Sequence, residues 1–366
     1  MTGDDARWMR LALSLGARGA GRVWPNPAVG CVIVKRGRVL GRGWTAPGGR
    51  PHAEPQALAQ AGEAAQGATA YVTLEPCAHF GQTPPCVEAL IRAGLARVVV
   101  ALRDPDPRTD GDGVTRLREA GISVRVGVEE TAARRAHAGF LSRVTKGRPA
   151  LTLKLATSFD GRIATATGES QWITGAPARR EVHALRARHD AVMVGAGTAR
   201  ADDPALTVRG LGISRQPARI VASRNLDLPR SGRLAATARQ VPLWLLHAPD
   251  APADRQVAWQ AMGAVLVPVA TGADGAIDMA AALQSLGQAG FTRIFCEGGG
   301  TLAAALLAAD LVDDLVGFTA GLAIGAEGLP GIGALGLADL SGAPRFTLCA
   351  TRAIGPDIVH EWTRHR

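Results

Sequence analysis

The chain has 366 residues, of which 47% are hydrophobic and 20% charged, and its formal net charge is +9. This length predicts about two domains, and the composition excludes a disordered or fibrous protein. Five cysteines over this length exclude a disulfide framework. No stretch approaches the roughly 18 apolar residues of a membrane span, and the polar N-terminus lacks an apolar signal segment. We therefore expect a reduced cytoplasmic protein that enters no membrane.

The positive charge is concentrated in residues 1–147, where 20 basic and 13 acidic side chains leave +7 of the total. A phosphorylated small molecule suits this charge as well as a nucleic acid does. Aromatic residues make up only 4% of the chain, which weakens the case for a base-stacking surface. We expect a small-molecule partner and no nucleic acid.

Helical and strand patterns alternate through the first part of the chain and predict an α/β layered domain. Helices are predicted at 4–20, 52–61, from about 85, at 113–120 and at 129–144. Strands are predicted at 29–34, 69–74, 97–102 and 122–126, and from the end of the turn Lys35-Arg36-Gly37-Arg38 to Trp44. The segment Lys146-Gly147-Arg148-Pro149 then interrupts the pattern. It predicts a boundary between one domain at 1–147 and a second at 148–366.

The second part of the chain also reads as α/β, and it ends in antiparallel-looking strands. Helices are predicted at 178–188, 279–286 and 302–308. Strands are predicted at 150–156, 191–194, 219–222, 243–246, 265–267, 293–296, 314–319, 346–350 and 357–362. The Gly-, Pro- and Ala-rich segment 321–344 is expected to be a long surface connection.

The strongest chemical signal is the series His52-Ala53-Glu54, Pro76-Cys77 and Cys86. His-x-Glu with a downstream Pro-Cys and a second Cys is typical of zinc nucleobase deaminases. One imidazole and two thiolates leave a fourth tetrahedral position for water. Glu54 would carry protons from that water to the ring and to the leaving ammonia. Each residue alone is more simply a packing or loop residue, but together they predict a catalytic zinc site.

The remaining histidine and cysteines near or outside this series have other interpretations. His79 is either an alternative ligand or a pocket residue beside the metal. Cys31, Cys296 and Cys349 fall in apolar strands, so we expect them to pack in the interior.

Two patterns in the second part are suggestive of phosphate binding without deciding it. Arg186 and Arg209 would clamp a phosphate bidentately, although a solvated helix face explains them equally well. The segment Glu297-Gly298-Gly299-Gly300-Thr301 lies between a strand and a helix. Its amides could approach a phosphate at the helix N-terminus, and an ordinary tight turn is an equally good reading.

The spacing of the two cysteines distinguishes among deaminases. They are nine residues apart, whereas nucleic-acid and free-nucleoside deaminases have Cys-x-x-Cys. This long loop, the segment Asn26-Pro27-Ala28-Val29-Gly30 and the segment Thr73-Leu74-Glu75 resemble one family. It is the bifunctional riboflavin-biosynthesis family, in which diaminohydroxyphosphoribosylaminopyrimidine deaminase is joined to 5-amino-6-(5-phosphoribosylamino)uracil reductase. The resemblance runs from about residue 7 to 362.

For the first domain the resemblance implies a cytidine-deaminase-like three-layer α/β/α fold. Zinc would be held by His52, Cys77 and Cys86, with Glu54 as the acid and base. Asn26, His79 and the loop 80–83 would line the pyrimidine pocket. Two positions depart from the family pattern. Gln82 stands where a basic residue is common, and Asp106 stands where the family often has Asn.

For the second domain the resemblance implies a dihydrofolate-reductase-like α/β fold and hydride transfer from NADPH to C1′ of the open-chain ribosylamine. The implied NADPH contacts are Ala156, Trp172, Thr198, Asp202, Ser223, Gly299, Gly300, Thr301, Leu302, Ala303, Ala304 and Ala305. The implied substrate contacts are Lys154, Ser170, Arg186, Leu206, Arg209 and Glu297. Residues 320–325 depart from the Pro-Lys form that is common there. The family likeness also leads us to expect a homo-oligomer.

Two other functions remain as alternatives. A deaminase of tRNA or of another nucleobase, with an unrelated C-terminal module, would be expected to show Cys-x-x-Cys and a basic, aromatic surface. A basic RNA-binding or regulatory protein with a relic zinc site would be expected to have lost Glu54 or a ligand. All four residues are present, which favours the bifunctional enzyme.

Overall fold

The computed structural model describes residues 2–365, with side chains from residue 4 onward. The chain divides into two compact units, Met1–Gly147 and Arg148–Arg366. Across the described residues, no helix combines the length and the apolar character that crossing a bilayer requires.

The described residues of unit 1 form six α-helices and five strands. The helices are α1 (Thr2–Gly16), α2 (Ala53–Ala61), α3 (Cys86–Arg92), α4 (Asp112–Glu119), α5 (Glu130–Ala136) and α6 (Ala138–Lys146), with short 3₁₀ turns at Ala17–Gly19 and Gly62–Ala65. The strands are β1 (Gly30–Lys35), β2 (Arg38–Trp44), β3 (Thr69–Val72), β4 (Arg97–Val100) and β5 (Ser123–Val126). The sheet order is β2-β1-β3-β4-β5. β1 is antiparallel to both of its neighbours, and β3, β4 and β5 are parallel.

Glycines show that helices cover both faces of this sheet. A Cβ at Gly30 would lie 1.9 Å from the Ala12 carbonyl of α1, and one at Gly43 would lie 2.1 Å from the Ala53 carbonyl of α2. Gly43 pairs with Cys31, the residue after Gly30. Since successive strand residues face opposite sides, α1 and α2 lie on opposite faces, and the unit is a three-layer α/β/α structure. Larger side chains at these glycines would push the helices off the sheet.

The predicted single helix at 129–144 is wrong, because α5 and α6 are separate helices. His137 between them leaves helical geometry, with φ −95° and ψ 7°. Its ring is 2% exposed, and Nε2 lies 3.1 Å from the Thr73 hydroxyl. The apolar periodicity continues through the break, so the pattern alone could not reveal that a buried polar contact redirects the chain.

From residue 148 to residue 365, unit 2 forms six α-helices and eleven strands. The helices are α7 (Ala176–Ala187), α8 (Ala196–Asp202), α9 (Arg233–Ala236), α10 (Ala253–Ala261), α11 (Met279–Gln288) and α12 (Gly300–Ala308), with a 3₁₀ turn at Leu340–Gly342. The strands are β6 (Ala150–Thr157), β7 (Arg162–Ala164), β8 (Ala191–Gly195), β9 (Ala218–Ala222), β10 (Leu243–His247), β11 (Val265–Pro268), β12 (Arg293–Cys296), β13 (Asp314–Thr319), β14 (Leu329–Pro330), β15 (Phe346–Ile354) and β16 (Asp357–Arg364).

The main sheet of unit 2 has nine strands in the order β11-β10-β9-β8-β12-β6-β13-β16-β15. The strands from β11 to β13 are parallel, and β13, β16 and β15 pair antiparallel at one end. The chain leaves β6 for β8 and later inserts β12 between them. Such a change of direction opens a crevice at the carboxyl ends of parallel strands, so a ligand site is expected beyond β6, β8 and β12.

Five elements of unit 2 were not predicted, namely α8, α9, α10, β7 and β14. The nine-residue α10 buries only Trp259, so its sequence carries no apolar stripe of helical period. α8 is only seven residues long and follows β8 directly, with Gly195 as both the last residue of the strand and the N-cap of the helix. The predicted surface connection 321–344 contains β14, which pairs with β7.

Candidate functional site

Three predicted metal ligands converge in unit 1. The ligand atoms of His52, Cys77 and Cys86 all lie within 4.8 Å of one another. The Nδ1 atom of His52 is 3.3 Å from the Cys86 sulfur and 3.7 Å from the Cys77 sulfur. Tetrahedral zinc with bonds of about 2.1 Å to nitrogen and 2.3 Å to sulfur separates such atoms by about 3.6 Å. The donor set and its spacing therefore fit a zinc ion with one position left open.

The three ligands come from the starts of two helices and from the segment that follows one strand. His52 is the extended residue that precedes α2, and Cys86 is the first residue of α3. Cys77 lies on the segment that leaves β3. The backbone N–H of Cys86 donates to the Cys77 sulfur at 3.4 Å. An N–H at a helix start has no acceptor within its own helix, and its hydrogen bond to the sulfur favours negative charge there.

The electrostatics of the cluster favour one thiolate and a buried acid. A hydrogen bond from Cys86, aided by His52, lowers the pKa of Cys77 to about 4, while the nearby Cys77 and burial raise that of Cys86. Glu54, in the first turn of α2, is 3% exposed. Burial and the negative Cys77 raise the pKa of Glu54. Glu54 is therefore placed beside the ligands as a group that can hold a proton.

A second group of buried acids fixes the loop that follows β4. The Glu75 carboxylate accepts backbone N–H groups from Asp104 at 3.2 Å, Gly111 at 3.2 Å and Val114 at 3.0 Å. This loop in turn brings the Thr109 hydroxyl to 3.3 Å from Nδ1 of His79. No site role was assigned to Glu75 or to Thr109 from the sequence. Only Glu75 could have been noticed, because it stands directly before Pro76-Cys77 in the zinc motif.

Three other residues of unit 1 were singled out by the sequence, namely Asn26, Asp106 and Gln82. Asn26 packs against Gly49: a Cβ added at Gly49 would lie 1.9 Å from the Nδ2 atom of Asn26. Gly49 also has φ +88°, so only glycine suits this turn three residues before His52. Asp106, one of the departures from the family pattern, is paired with Arg108 through Nε at 2.9 Å. Gln82 is exposed.

Asp104 makes the stability of unit 1 depend on pH. Burial, with Asp106 and Glu75 nearby, raises its pKa from 3.8 to about 7. The unfolded chain loses this proton near pH 4, whereas the folded unit keeps it to about pH 7, so stability falls as the pH rises through that window. We expect Asp104→Asn to remove this fall and to stabilise the protein at pH 8 by about 1 kcal/mol or more.

Urea denaturation of both proteins at pH 5 and pH 8 measures the effect. Asp112→Asn, at the start of α4, is the matched control because it makes the same chemical change at an exposed side chain. A parallel pH dependence in the parent and Asp104→Asn would contradict the expectation.

In unit 2, four predicted side chains meet at the carboxyl ends of the central strands. Cys296 of β12 pairs with Leu153 of β6, so Glu297 lies level with Lys154. Glu297 forms a bidentate ion pair with Arg186 of α7. The Nε atom of Arg186 donates to Oε1 of Glu297 at 2.5 Å, and its Nη2 atom donates to Oε2 at 2.9 Å. The charge of Lys154 also acts on Asp202 at the end of α8.

The charges in this cluster influence one another. Burial lowers the pKa of Lys154, and Arg186 adds to this while Glu297 opposes it. Burial works against the charge on Glu297, but Arg186 and Lys154 outweigh it and hold the pKa of that carboxyl below its ordinary value. An ionised carboxylate therefore stands beside a primary amine.

Arg186 and Arg209 differ in their surroundings. The Nη1 atom of Arg186 also donates to the Thr207 carbonyl at 2.8 Å, so three of its five donors are occupied. Arg209 is exposed, and its backbone N–H donates to Nδ1 of His183 at 3.3 Å. The phosphate role predicted for Arg186 stays a prediction beside its observed contact with Glu297. The exposed Arg209 is therefore the better candidate for binding the phosphate.

The glycine segment 298–300 starts α12, as the sequence predicts. The N–H of Gly299 donates to the Thr198 hydroxyl at 3.0 Å, which brings two implied cofactor contacts together. Along α12, Thr301 and Ala305 are exposed and Gly300 and Leu302 half-buried. Ala303 and Ala304 are 0% and 7% exposed, so they present almost no surface to a ligand.

Other implied contacts are spread more widely. Ala156 is half-buried on β6, two residues after Lys154 and on the same face. Trp172 is 66% exposed beneath the Arg179 guanidinium at 4.5 Å, and Ser170 is half-buried. Ser223 is 1% exposed, and its hydroxyl donates to Asp227 at 3.1 Å. Leu206 is 2% exposed in the hydrophobic core. The side chains of Ser223 and Leu206 therefore give the predicted contacts no support.

The segment around residue 322 departs from the family pattern but is held firmly. Asp160 accepts the N–H of Ile324 at 3.1 Å and that of Gly325 at 2.7 Å. The hydrogen bond from Ser158, with these amides, lowers the pKa of Asp160 to about 2. The N–H of Phe159 donates to the Leu322 carbonyl at 2.7 Å. The altered residues therefore keep an ordered connection beside β6.

Comparison with known proteins identifies both units. Residues 2–102 match the cytidine and deoxycytidylate deaminase zinc-binding region, and residues 149–360 match the RibD C-terminal domain. The riboflavin biosynthesis protein RibD of Escherichia coli strain K12 is 41% identical over 365 residues, which covers 97% of this chain and 98% of that protein. RibD of Aquifex aeolicus strain VF5 is 40% identical over 361 residues, covering 99% of both.

Solved structures agree over the full chain. Acinetobacter baumannii RibD, form 1, is 37% identical, with a TM-score of 0.90 and 100% of both chains covered. The diaminohydroxyphosphoribosylaminopyrimidine deaminase/5-amino-6-(5-phosphoribosylamino)uracil reductase of Thermotoga maritima is 33% identical, with a TM-score of 0.86, and covers 100% of this chain and 99% of that chain.

Fold, metal-ligand cluster and sequence likeness define a zinc deaminase domain fused to a reductase domain of the dihydrofolate-reductase type. The chain belongs to the RibD family of riboflavin biosynthesis. It is a bifunctional deaminase and reductase that uses Zn²⁺ and NADPH and acts on a small molecule. This confirms the predicted fold class, function and cofactors, and it favours them over a deaminase with an unrelated C-terminal module.

Proposed function

We propose that residues 1–147 deaminate 2,5-diamino-6-(5-phosphoribosylamino)pyrimidin-4-one and that residues 148–366 then reduce its ribosyl side chain to ribityl with NADPH. The observation that carries the proposal is the approach of His52, Cys77 and Cys86 within 4.8 Å beside the buried Glu54. The solved Thermotoga maritima relative, which matches the whole chain, carries this pair of activities in its name.

In unit 1, His52, Cys77 and Cys86 would hold zinc, which when bound supplies the Lewis acidity that makes water nucleophilic at neutral pH. Glu54 is assigned to proton transfer, because burial favours its protonated form and general acids work best with pKa values near the working pH. Asn26 and His79 are assigned to the pyrimidine. Thr109 supports this assignment of His79, since its hydroxyl restricts rotation of the ring.

In unit 2, NADPH when bound supplies the hydride. Lys154 and the ionised Glu297 are assigned to the ribosylamine, where the amine can donate hydrogen bonds to the sugar oxygens. Arg186 holds Glu297 in place through its two-pronged contact. The cofactor is assigned to Thr198, Asp202, Trp172 and the start of α12, whose unpaired amides suit a phosphate.

The protein is proposed to work in the cytoplasm as a homo-oligomer and to bind no nucleic acid. Five cysteines without a disulfide suit a reducing compartment. A substrate with a single phosphate also suits the excess of arginine in unit 1 without a need for polynucleotide binding.

One assay pair tests the proposal. Zinc-loaded protein given the diaminopyrimidine should release ammonia without NADPH and should consume NADPH only after that release. Removal of the metal with a chelator should stop ammonia release and leave reduction of the already deaminated substrate intact. Release of ammonia at the parent rate after complete metal removal would disprove the assignment of unit 1.

Arg209→Ala tests the phosphate site of the reductase. Because a charge-assisted hydrogen bond to phosphate would be lost, we expect the KM for the phosphorylated substrate to rise about tenfold while kcat changes little. Arg188→Ala, at the exposed end of α7, is the matched control. Steady-state NADPH oxidation measures both, and an unchanged KM would remove Arg209 from the site.

A further inference from the structure

The loop between the two cysteine ligands lacks a cation of its own. Residues 78–85 read Ala-His-Phe-Gly-Gln-Thr-Pro-Pro, and 80–84 are exposed. The substrate assigned to this unit carries a phosphate, which requires a positively charged or N–H-rich partner at the edge of the pocket. Gln82, the polar residue at the tip of the loop, can offer an amide but no charge.

Arg50 brings a guanidinium to this loop from another segment. Its Nη1 atom donates a hydrogen bond to the Thr83 hydroxyl. A Cβ at Gly81 would lie 3.1 Å from its Nη2 atom, so the side chain runs along the loop. Arg50 stands two residues before His52, and the residue before it, Gly49, touches Asn26. The cation is therefore set between the pyrimidine residue and the metal-ligand loop.

Arg50 also differs in its partners from other arginines of unit 1. Arg108 is paired with Asp106, Arg116 with Glu88, and Arg103 with Asp110. For Arg50, no carboxylate in residues 4–365 lies within ion-pair distance, and the partner of its side chain is a neutral hydroxyl. A half-buried guanidinium with uncommitted donors and no counter-charge is suited to an anionic ligand.

We propose that Arg50, supported by Thr83, binds the substrate phosphate at the deaminase site and so determines its preference for phosphorylated substrate. The inference rests on the proposed function of unit 1. The planar guanidinium would contact two phosphate oxygens at once. The hydroxyl of Thr83 fixes the side chain before the substrate arrives, which reduces the conformational entropy lost on binding.

The test compares ammonia release from the phosphorylated substrate and from the same aminopyrimidine with an unphosphorylated ribosyl group. For Arg50→Gln we expect KM for the phosphorylated substrate to rise about tenfold or more, with kcat nearly unchanged and with no change for the unphosphorylated compound. Arg50→Lys should recover part of the affinity, because a point charge remains without the second hydrogen bond. Arg92→Ala, an exposed residue at the end of α3, should match the parent.

Zinc content is measured for every variant. Equal loss of affinity for both substrates, an unchanged KM in Arg50→Gln, or loss of zinc from that variant would each overturn the proposal, the last because Arg50 would then serve the metal site. Failure of the proposed function is distinguishable. In that case the zinc-loaded parent protein itself would release no ammonia from either compound.

Discussion

Replacing Glu54 with Gln is expected to lower ammonia release by about 10²- to 10⁴-fold while the protein keeps its zinc and its reductase activity. Gln has nearly the same shape, so the first turn of α2 and the ligand positions are retained. What is lost is a group that can take and return a proton. The three ligand atoms remain within 4.8 Å of one another, so metal affinity has no reason to fall by a comparable factor.

Three measurements on one preparation separate these effects. Zinc stoichiometry reports the metal site, ammonia release reports unit 1, and NADPH oxidation with the already deaminated substrate reports unit 2. Glu63→Gln, an exposed carboxylate in the turn after α2, serves as the matched control. Deamination at the parent rate in Glu54→Gln would show that another group moves the proton.

Arg186→Met is expected to have the largest effect on unit 2. The side chains of Arg186 and Glu297 are 11% and 10% exposed, and removal of one partner leaves a buried charge without its main counter-ion. Such losses cost about 3–5 kcal/mol of stability. The positive charge of Lys154 still offsets part of the negative charge of Glu297 in the variant, so we expect a loss at the lower end of that range. Reductase activity should fall as well, because Glu297 loses its fixed position.

A double-mutant cycle checks the cause. If the cost comes from an unpaired carboxylate, Arg186→Met/Glu297→Gln should be more stable than Arg186→Met in urea denaturation at pH 7. Arg188→Met lies two residues further along the same chain segment and is exposed, so it should resemble the parent. If the two single changes proved additive, Arg186 and Glu297 would be energetically independent despite their contact.

The metal site was the part most accessible to sequence reasoning. His52, Glu54, Cys77 and Cys86 are recognisable because zinc chemistry admits few residue types at few spacings. The glycine segment 298–300 was also placed correctly between a strand and a helix. In both cases the chemistry depends on a short stretch of chain whose local geometry follows from its own residues.

The supporting contacts were not accessible, because they join segments far apart in the chain. Thr109 reaches His79 across 30 residues, Glu75 reaches Val114 across 39, and Arg50 reaches Thr83 across 33. No periodicity or spacing relates such pairs. Burial is likewise a property of the whole fold: Ser223 and Leu206, contacts implied by the family resemblance, have buried side chains.

The sequence by itself determined a two-part α/β protein, the residues of a three-ligand zinc site with its acid, and, through resemblance, the riboflavin-biosynthesis family. The net charge of +9 taken alone does not distinguish a nucleic acid from a phosphorylated small molecule. Tertiary structure decided which cations are neutralised by carboxylates and which are not. It shows Arg108, Arg116 and Arg186 paired with acids and Arg50 with a neutral hydroxyl. Charge counts sum over the chain, whereas binding depends on where each charge lies in space and on what already neutralises it.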